Sequence, residues 1–263
     1  MNLKIRVVIP AAGKSTRINS SMRKSGRGEI SKALLALGRK PVAFKLVESV
    51  RKSGIDLRPV IVVSEATGQE VRRVLGSDCD YVTQKERLGT AHSVSCAESI
   101  LRDNAEAVMV VYADMPLITP QTLRAIADTH ARERPAITMG TVTADDFKDW
   151  RGCLYTYGHV VRRLGKVIAV VELKDATPAQ RRIKEVSPSF FCFNAEWLWA
   201  NLPKVGRRNV QGEYYLPDLV GIAIQQGRKV RTVPVCPIEA VGINTLEELA
   251  LAEKLTKRKG GIR

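Results

Sequence analysis

Apolar runs alternate with helix-like stretches along the first half of the chain. The runs are mostly apolar, and they lie at 5–9, 60–63, 107–113 and 136–142. Runs of this kind predict strands that are buried on both faces of a sheet. The segments between them carry apolar residues at helical spacing, and they lie at 41–54, 70–75, 90–101 and 120–132. This alternation predicts a parallel sheet with helices on both faces, in three α/β/α layers.

The pattern changes after about residue 145, where short predicted strands are separated by turns that contain glycine. These strands are Leu154–Tyr157, Val160–Arg163, Val167–Glu172 and Phe190–Phe193. They predict a smaller mixed β lobe on the same sheet. A helix from Leu216 to Gln226, a strand from Val230 to Val235 and a last helix with a capping box at Thr245 and Glu248 follow. The polar stretch 19–31, rich in Gly and Ser, predicts a mobile loop.

The first predicted strand leads into Ile-Pro-Ala-Ala-Gly-Lys-Ser-Thr-Arg at 9–17. Small residues let backbone N–H groups approach a phosphate chain, and the basic residues supply the countercharge, so this loop is a candidate nucleoside triphosphate site. An ordinary strand-to-helix turn with solvated basic residues is the plainer alternative. A Walker A loop is a third interpretation, but Val8 occupies the place of its first glycine. It also needs a helix directly after Ser15, where the sequence predicts a loop.

Two further segments carry candidate chemistry, residues 84–90 and the end of the apolar run at Asp114. Gln84 ends a short predicted strand and offers both a donor and an acceptor, as recognition of a base edge requires. Gly89 would let the backbone approach a ligand, and Thr90 would cap the helix that follows. Asp114 ends the most apolar run, where a carboxylate can hold Mg²⁺ together with substrate phosphates. The alternative for Asp114 is a turn cap before Pro116.

The net charge of +15 indicates anionic partners. The basic residues are spread along the chain and no aromatic-rich RNA-binding motif accompanies them, so we do not expect nucleic acid to be the main partner. Small phosphorylated substrates explain the sign of the charge but not its size. No run approaches the ~18 apolar residues of a membrane span, and the N-terminal apolar stretch is too short for a signal peptide. We therefore expect a cytoplasmic protein without a membrane partner.

Several motifs together resemble those of nucleotidyltransferases that make nucleotide sugars. They are Leu-Gly-Thr-Ala-His at 88–92, Glu-Leu-Lys-Asp-Ala-Thr at 172–177 and Glu-Tyr-Tyr-Leu at 213–216, beside the loop at 11–17. The chain is most similar to the uridylyltransferase domain of bacterial N-acetylglucosamine-1-phosphate uridylyltransferases, over almost its whole length. The resemblance implies a Rossmann-like, GT-A-like nucleotidyltransferase fold, with one domain over 1–263. Within it, 1–144 would be the nucleotide-binding half, 145–244 the sugar-binding half and 245–263 a C-terminal helix and tail.

The resemblance also implies a reaction and a set of site residues. UMP would pass from UTP to a sugar 1-phosphate, most simply N-acetylglucosamine 1-phosphate, with release of pyrophosphate. Asp114 and Asn244 would hold Mg²⁺, and Arg17 and Lys32 would face the phosphates. The implied nucleotide contacts are Ala11, Ala12, Gly13, Thr16, Gln84, Gly89 and Thr90. The implied sugar contacts are Tyr112, Gly158, Glu172 and Asn209.

Four departures from the family pattern keep alternatives open. Ser15 replaces a glycine of the first loop, and the stretch between Arg17 and Lys32 is long, with Ser31 where a proline is usual. His159 stands where arginine is common, and Ser-Pro-Ser at 187–189 replaces an Asn-Thr-Gly that contacts the sugar. Another sugar, another base or a non-catalytic nucleotide- or RNA-binding regulator are the alternatives. The sequence carries no hexapeptide repeats, so we expect no acetyl transfer, and either a monomer or a small homo-oligomer.

Overall fold

A computed structural model describes residues 3–13, 15–24 and 31–259, with side chains except at 21–24, 258 and 259. The strands are β1 (Ile5–Pro10), β2 (Ala36–Leu37), β3 (Lys40–Pro41), β4 (Val60–Ser64), β5 (Asp80–Gln84), β6 (Ala107–Val110), β7 (Ile137–Thr143), β8 (Gly158–Arg163), β9 (Lys166–Val171), β10 (Glu185–Ser187), β11 (Phe191–Asn194) and β12 (Val230–Pro234). The α-helices are α1 (Thr16–Lys24), α2 (Val42–Ser53), α3 (Gly68–Leu75), α4 (Thr90–Ser95), α5 (Glu98–Leu101), α6 (Pro120–Glu133), α7 (Ala195–Asn201), α8 (Asp218–Gln225) and α9 (Leu246–Lys259). Short 3₁₀ segments lie at Lys32–Leu34, Asp149–Thr156, Gln180–Arg182, Leu202–Lys204 and Pro237–Ala240. Across these ranges no helix has the length and apolar character needed to cross a membrane.

One mixed sheet organises the fold, in the order β5-β4-β1-β6-β11-β7-β10-β8-β9. The strands β5, β4, β1 and β6 are parallel, and β11 runs antiparallel between β6 and β7. The outer edge of β7 is shared, because β12 pairs with residues 137–141 and β10 with residues 142 and 143. Helices cover both faces of the sheet. The predicted three-layer α/β/α class, with a mixed sheet and a small β lobe, is therefore confirmed.

Alternate residues of β1 enter the two halves of the core. Val7 and Ile9 pack with α2, α3 and α6 on one face. Val8 packs with α4, α7 and α8 on the other face. Because parallel strands in a three-layer fold are covered on both sides, their sequences are continuous apolar runs rather than alternating ones. Full burial of each such side chain stabilises the fold by about 1.5–3 kcal/mol.

The predicted loop over 19–31 is wrong for its first part, because α1 extends through residue 24. Ile18 anchors this helix in a third apolar cluster, together with Leu37, Val42 and Ile243, beneath the C-terminal helix α9. Short helices depend on tertiary packing of this kind more than on intrinsic propensity. Residues 25–30, on which the rest of that prediction falls, lie outside the described residues.

Three other sequence-based assignments need correction. Phe190–Phe193 does not belong to the β lobe, since β11 is a central strand between β6 and β7 and its phenylalanines are fully buried. Leu154–Tyr157 is not a strand but the end of a 3₁₀ segment. The helix over 90–101 is broken into α4 and α5, because the Ser95 hydroxyl and the Cys96 thiol both donate to the carbonyl of His92. Such local bonds compete with regular helical ones.

His130 is a buried titratable group in the interface between α6 and β7. It is 1% exposed, and its Nδ1 lies 3.0 Å from the Thr138 hydroxyl. Burial, with a smaller effect from the Arg134 guanidinium, lowers the pKa of His130 from 6.5 to about 4. The unfolded chain binds this proton near pH 6.5, so the contribution of neutral His130 to stability is present above that pH. It is lost as the pH falls towards 4.

We expect His130→Gln to flatten the acid limb of the stability curve, since the amide can still pair with Thr138 but does not titrate in this range. Between pH 7 and pH 4 the wild-type free energy of unfolding should fall by on the order of 2–3 kcal/mol more than that of the variant. Urea unfolding across this range measures the difference. Parallel pH profiles for the two proteins would contradict the assignment.

Candidate active site

The loop after β1 lies at the edge of the sheet where the parallel strands end. The backbone N–H of Ala11 still donates to the carbonyl of Val62 at 2.8 Å, so the sheet pairing continues one residue beyond β1. Ala11 and Ala12 are buried and Gly13 is exposed. Lys14 lies outside the described residues.

Ser15 turns the loop into α1 and connects it to Lys32. Its φ is +50°, in the left-handed region that disfavours side chains, where the family pattern has a glycine. The Ser15 hydroxyl accepts a hydrogen bond from the backbone N–H of Lys32 at 3.1 Å. Thr16 and Arg17 open α1 and are exposed.

A helix does follow Ser15 directly, so the loop predicted there is wrong and does not exclude a Walker A loop. The valine in place of the first glycine still does, because Val8 lies inside β1, paired with Val60 and Val110. The sheet pairing runs on to Ala11, which leaves too few residues for a five-residue phosphate loop before Gly13.

Lys32, Asp114 and Asn244 come together at the end of β6. The Lys32 ammonium contacts Asp114 Oδ2 and lies 2.9 Å from Asn244 Oδ1. The backbone N–H of Ile243 donates to the Asp114 carbonyl at 2.9 Å, which ties the segment before α9 to the end of β6. Asp114 therefore does not act simply as a turn cap, since its carboxylate is directed at a cation.

The capping box predicted at the start of α9 is present and fixes the position of Asn244. The Glu248 carboxylate accepts the backbone N–H groups of Asn244 and Thr245, at 2.6 and 3.1 Å. The Thr245 hydroxyl accepts the N–H of Glu248 in return, at 3.1 Å. This arrangement pairs the N–H groups at the start of the helix that have no partner within it. The Asn244 side chain is not used in the cap, and its Oδ1 contacts the Lys32 ammonium beside Asp114.

The donor set at this point fits Mg²⁺. Asp114 and Asn244 present two hard oxygen atoms that converge on one cation, the Lys32 ammonium. Mg²⁺ is commonly held by one or two protein oxygens, with substrate phosphates and water completing the octahedron. In the described ranges no three His, Cys, Asp or Glu side chains are grouped to hold a metal ion by themselves. A metal here would therefore depend on oxygens from the substrate.

Gln84 has its amide donors engaged by the protein. The side chain is 4% exposed, and Nε2 lies 3.0 Å from His92 Nδ1 and 3.4 Å from the Gly89 carbonyl. The Gly89 carbonyl fixes the orientation of the Gln84 amide, because Oε1 in the place of Nε2 would face the Gly89 carbonyl oxygen. Of the donor and acceptor predicted from the sequence, only the acceptor Oε1 remains for a ligand.

Gly89 and Thr90 join two motifs that are distant in the sequence. Gly89 has φ +119°, and a Cβ on it would lie 2.6 Å from the Tyr214 carbonyl oxygen. The N–H of Tyr214 donates to the Leu88 carbonyl at 2.8 Å, and the Thr90 hydroxyl accepts the N–H of Leu216 at 2.9 Å. Thr90 is thus a tether and not a helix cap, and the small size of Gly89 serves this close approach.

Gly158 and Glu172 meet in the β lobe. A Cβ on Gly158 would lie 2.7 Å from Val170 Cγ1 and 3.3 Å from Glu172 Oε1, so only glycine leaves the carboxyl its place. Burial, together with the nearby Asp218 and Asp175 carboxylates, raises the pKa of Glu172 to about 7. Near neutrality this group can therefore both donate and accept hydrogen bonds.

The other two predicted sugar contacts differ in how they are used. The Tyr112 hydroxyl is buried close to the Thr90 hydroxyl, without hydrogen-bond geometry to any described residue. Asn209 uses both side-chain atoms within its own loop, since Nδ2 donates to the Glu213 carbonyl at 2.7 Å and Oδ1 accepts the Glu213 N–H at 3.2 Å. Val210 continues the connection by donating its N–H to Asp175 at 2.9 Å.

The departures in the β lobe have structural explanations. His159 is fully buried, with Nδ1 at 2.9 Å from the Ile183 carbonyl and its ring against Phe147 and Tyr155. Ser189 has φ +61°, so it keeps a left-handed backbone without glycine, and its N–H donates to the Ser187 hydroxyl at 3.2 Å. The serine hydroxyl at 187 thus holds the turn from within the chain.

The predicted site residues thus fall into three groups along one edge of the sheet. The first holds the 11–17 loop with Lys32, Asp114 and Asn244, the second Gln84, Gly89, Thr90 and Tyr112, and the third Gly158, Glu172 and Asn209. Two residues that were not predicted as site residues also contact these groups, Asp218 and Ser15. Asp218 lies beside Glu172, and an acid in the first turn of a helix after proline was its only signal. Ser15 was noted only as a departure.

A three-layer α/β/α fold with a mixed sheet, together with Lys32, Asp114 and Asn244 gathered beside the loop after β1, is typical of nucleotidyltransferases. The chain belongs to the MobA-like NTP transferase domain family, whose pattern matches residues 7–185. It is 34% identical over 258 residues to the bifunctional protein GlmU of Brevibacillus brevis, covering 97% of this chain and 52% of that protein. It is 33% identical over 253 residues to the bifunctional protein GlmU of Desulfotalea psychrophila, covering 95% and 70%.

These curated relatives are longer than this chain. The chain spans about half the length of most of the curated relatives that it matches, including GlmU of Caldicellulosiruptor saccharolyticus at 53%. A solved nucleotidyl transferase from Methanothermobacter thermautotroptrophicus has the same fold, with a TM-score of 0.66 and 19% identity, covering 98% of this chain and all of that one.

Ser15 is open to a matched pair of substitutions. Ser15→Ala removes the acceptor for the Lys32 N–H but keeps a side chain at φ +50°, and should cost about 1 kcal/mol of unfolding free energy. Ser15→Gly removes the same acceptor but relieves about 1–2 kcal/mol of backbone strain. We expect the glycine variant to be the more stable of the two in urea unfolding. A less stable glycine variant would show that the left-handed turn carries no strain.

Proposed function

We propose that the protein transfers UMP from UTP to a sugar 1-phosphate and releases pyrophosphate. N-acetylglucosamine 1-phosphate is the first choice of acceptor, because the motifs of the chain resemble those of its uridylyltransferases. The single observation that carries the proposal is the convergence of Lys32, Asp114 and Asn244 beside the loop after β1. Such a cluster can hold a metal–triphosphate complex against the acceptor.

The reaction needs positioning and charge neutralisation more than acid–base chemistry. A sugar phosphate is already an ionised nucleophile, so no general base is required for in-line attack on the α-phosphorus. Asp114 and Asn244 would hold Mg²⁺, which when bound would neutralise charge developing on the phosphates. Lys32 and Arg17 would face the phosphate oxygens, and Ala12 and Gly13 would let the triphosphate approach the backbone.

The orientation of Gln84 favours uracil over cytosine. With both amide hydrogens engaged by His92 and Gly89, Oε1 is left as an acceptor. Uracil presents an N–H at position 3 of the ring, whereas cytosine presents a lone pair there. A site with an acceptor at this point would therefore leave two lone pairs facing each other when CTP is bound.

The sugar is proposed to lie against the β lobe, within the sugar-binding half at 145–244. Glu172 would bond the sugar hydroxyls, with Gly158 leaving it room and Tyr112 offering an unengaged hydroxyl. The Asn209 loop would contribute through its backbone or after its side chain is released from Glu213. Since Ser187–Ser189 replaces the family's contact turn, glucose 1-phosphate and glucosamine 1-phosphate belong in the same panel of acceptors.

A pyrophosphate-release assay over nucleoside triphosphates and sugar 1-phosphates tests the function. We expect turnover with UTP and N-acetylglucosamine 1-phosphate, and a UTP over CTP preference in kcat/KM of at least about tenfold, or 1.4 kcal/mol. Gln84→Leu should bring that ratio towards one. Equal rates with UTP and CTP in the wild type would remove the base assignment, and no pyrophosphate with any acceptor would remove the transferase assignment.

The proposed metal ligand gives a second test. Asp114→Asn keeps the size of the side chain but removes the charge, and should lower kcat by about a hundredfold or more at saturating Mg²⁺. Asp103→Asn is the matched control, because Asp103 is exposed and remote from the cluster. Near-normal turnover of the Asp114 variant, with an unchanged melting temperature, would reject the assignment.

A further inference from the structure

The cation that joins Asp114 and Asn244 belongs to the protein itself. The Lys32 ammonium contacts the same two side-chain oxygens that the proposed function assigns to Mg²⁺. A magnesium ion needs its ligands at about 2.0–2.1 Å, so it would lie between these oxygens, in the space that the ammonium fills. Two cations cannot share that space, because at such separations their repulsion is large in a partly buried site.

We propose that Lys32 is a built-in competitor for the metal site. In the nucleotide-free protein it neutralises Asp114 and holds Asn244, and it leaves these oxygens when a metal–triphosphate complex enters. The inference rests on the proposed function for the identity of the incoming complex. It goes further in giving Lys32 two alternative positions and a role before substrate is bound.

The backbone of Lys32 is fixed while its side chain has a path to the phosphates. Its N–H donates to the Ser15 hydroxyl at 3.1 Å, and the neighbouring Ala33 is buried in the core. The stem runs along the nucleotide loop, since a Cβ on Gly13 would lie 3.7 Å from Lys32 Cε. The ammonium can therefore move from Asp114 to a triphosphate on this loop by side-chain rotation alone.

Coupled binding of metal and nucleotide follows from this competition. Without nucleotide, a divalent cation must displace the ammonium and leave it without an anionic partner, so the metal binds weakly. With a triphosphate present, the displaced ammonium gains phosphate oxygens. By linkage, each ligand then raises the affinity for the other by the same factor.

The test measures binding of Mn²⁺ alone, by electron paramagnetic resonance of the free ion, at low ionic strength and without nucleotide. We expect Lys32→Met to bind Mn²⁺ about tenfold more tightly than the wild type. Lys32→Gln should show the same gain, which guards against a packing defect in one variant. Lys40→Met is the matched control, since it removes an equal charge from the remote pair with Glu48 and should change the affinity less than twofold.

A double variant, Lys32→Met with Asp114→Asn, should lose the tight Mn²⁺ site and so locate it at Asp114. Unchanged or weaker Mn²⁺ binding by both Lys32 variants, with melting temperatures like that of the wild type, would overturn the proposal. The outcome is separable from that of the proposed function. A gain in Mn²⁺ affinity without any nucleotidyl transfer would reject the proposed reaction and support the competition. Nucleotidyl transfer without a gain in Mn²⁺ affinity would support the reaction and reject the competition.

Discussion

The pairing of Lys32 with Asp114 is the contact on which the arrangement of the site depends. It joins residues 82 positions apart in the sequence, and the same ammonium reaches Asn244, another 130 positions further on. A cationic side chain between two oxygens cannot be replaced by apolar packing without leaving a partly buried carboxylate unpaired. Through this contact and the bond from the Lys32 N–H to Ser15, the loop after β1, the segment that follows β6 and the start of α9 are held together.

The sheet explains why these segments meet at all. β1, β4, β5 and β6 are parallel, so the polar residues that follow each of them emerge at one edge, and in an open α/β sheet ligands bind at that edge. Later in the chain, β11 pairs antiparallel with β6, and its Phe191 and Phe193 enter one half of the core while Cys192 enters the other. The β lobe, formed by β8, β9 and β10, is attached beyond this point, where β10 pairs with β7.

The sequence predicts the part of this architecture that depends on continuous burial. The runs of β1 and β4 and the capping box of α9 are determined by local chemistry, and the structure has them where they were expected. The run predicted over 107–113 is a strand only as far as Val110. Phe190–Phe193 was misplaced because an apolar run does not reveal which neighbours pair with it. The helix α1 was missed because its polar sequence carries little apolar periodicity, and Ile18 is the one buried side chain among those described at 16–20.

For the site, residue types could be predicted but their partners could not. The position of Asp114 at a strand end and the spacing of Thr245 and Glu248 are local signals. That the Gln84 donors are engaged by His92 and Gly89, or that Asn209 closes its own loop on Glu213, depends on contacts that no spacing encodes. The role of Ser15 also needs the structure, because a serine in place of a glycine otherwise indicates only a lost turn.

The close contact between Gly89 and Tyr214 affects how genetic data on this protein should be interpreted. Any side chain at position 89 would collide with backbone atoms of another motif, which have no rotamer to give way. A saturation screen for activity would therefore score Gly89 as indispensable, alongside Asp114, although it has no group that takes part in chemistry. The inactive variants would retain every reactive atom and lose only the distance between two motifs. Revertants of such variants should arise in the segment around Tyr214, where the backbone would have to move away from position 89.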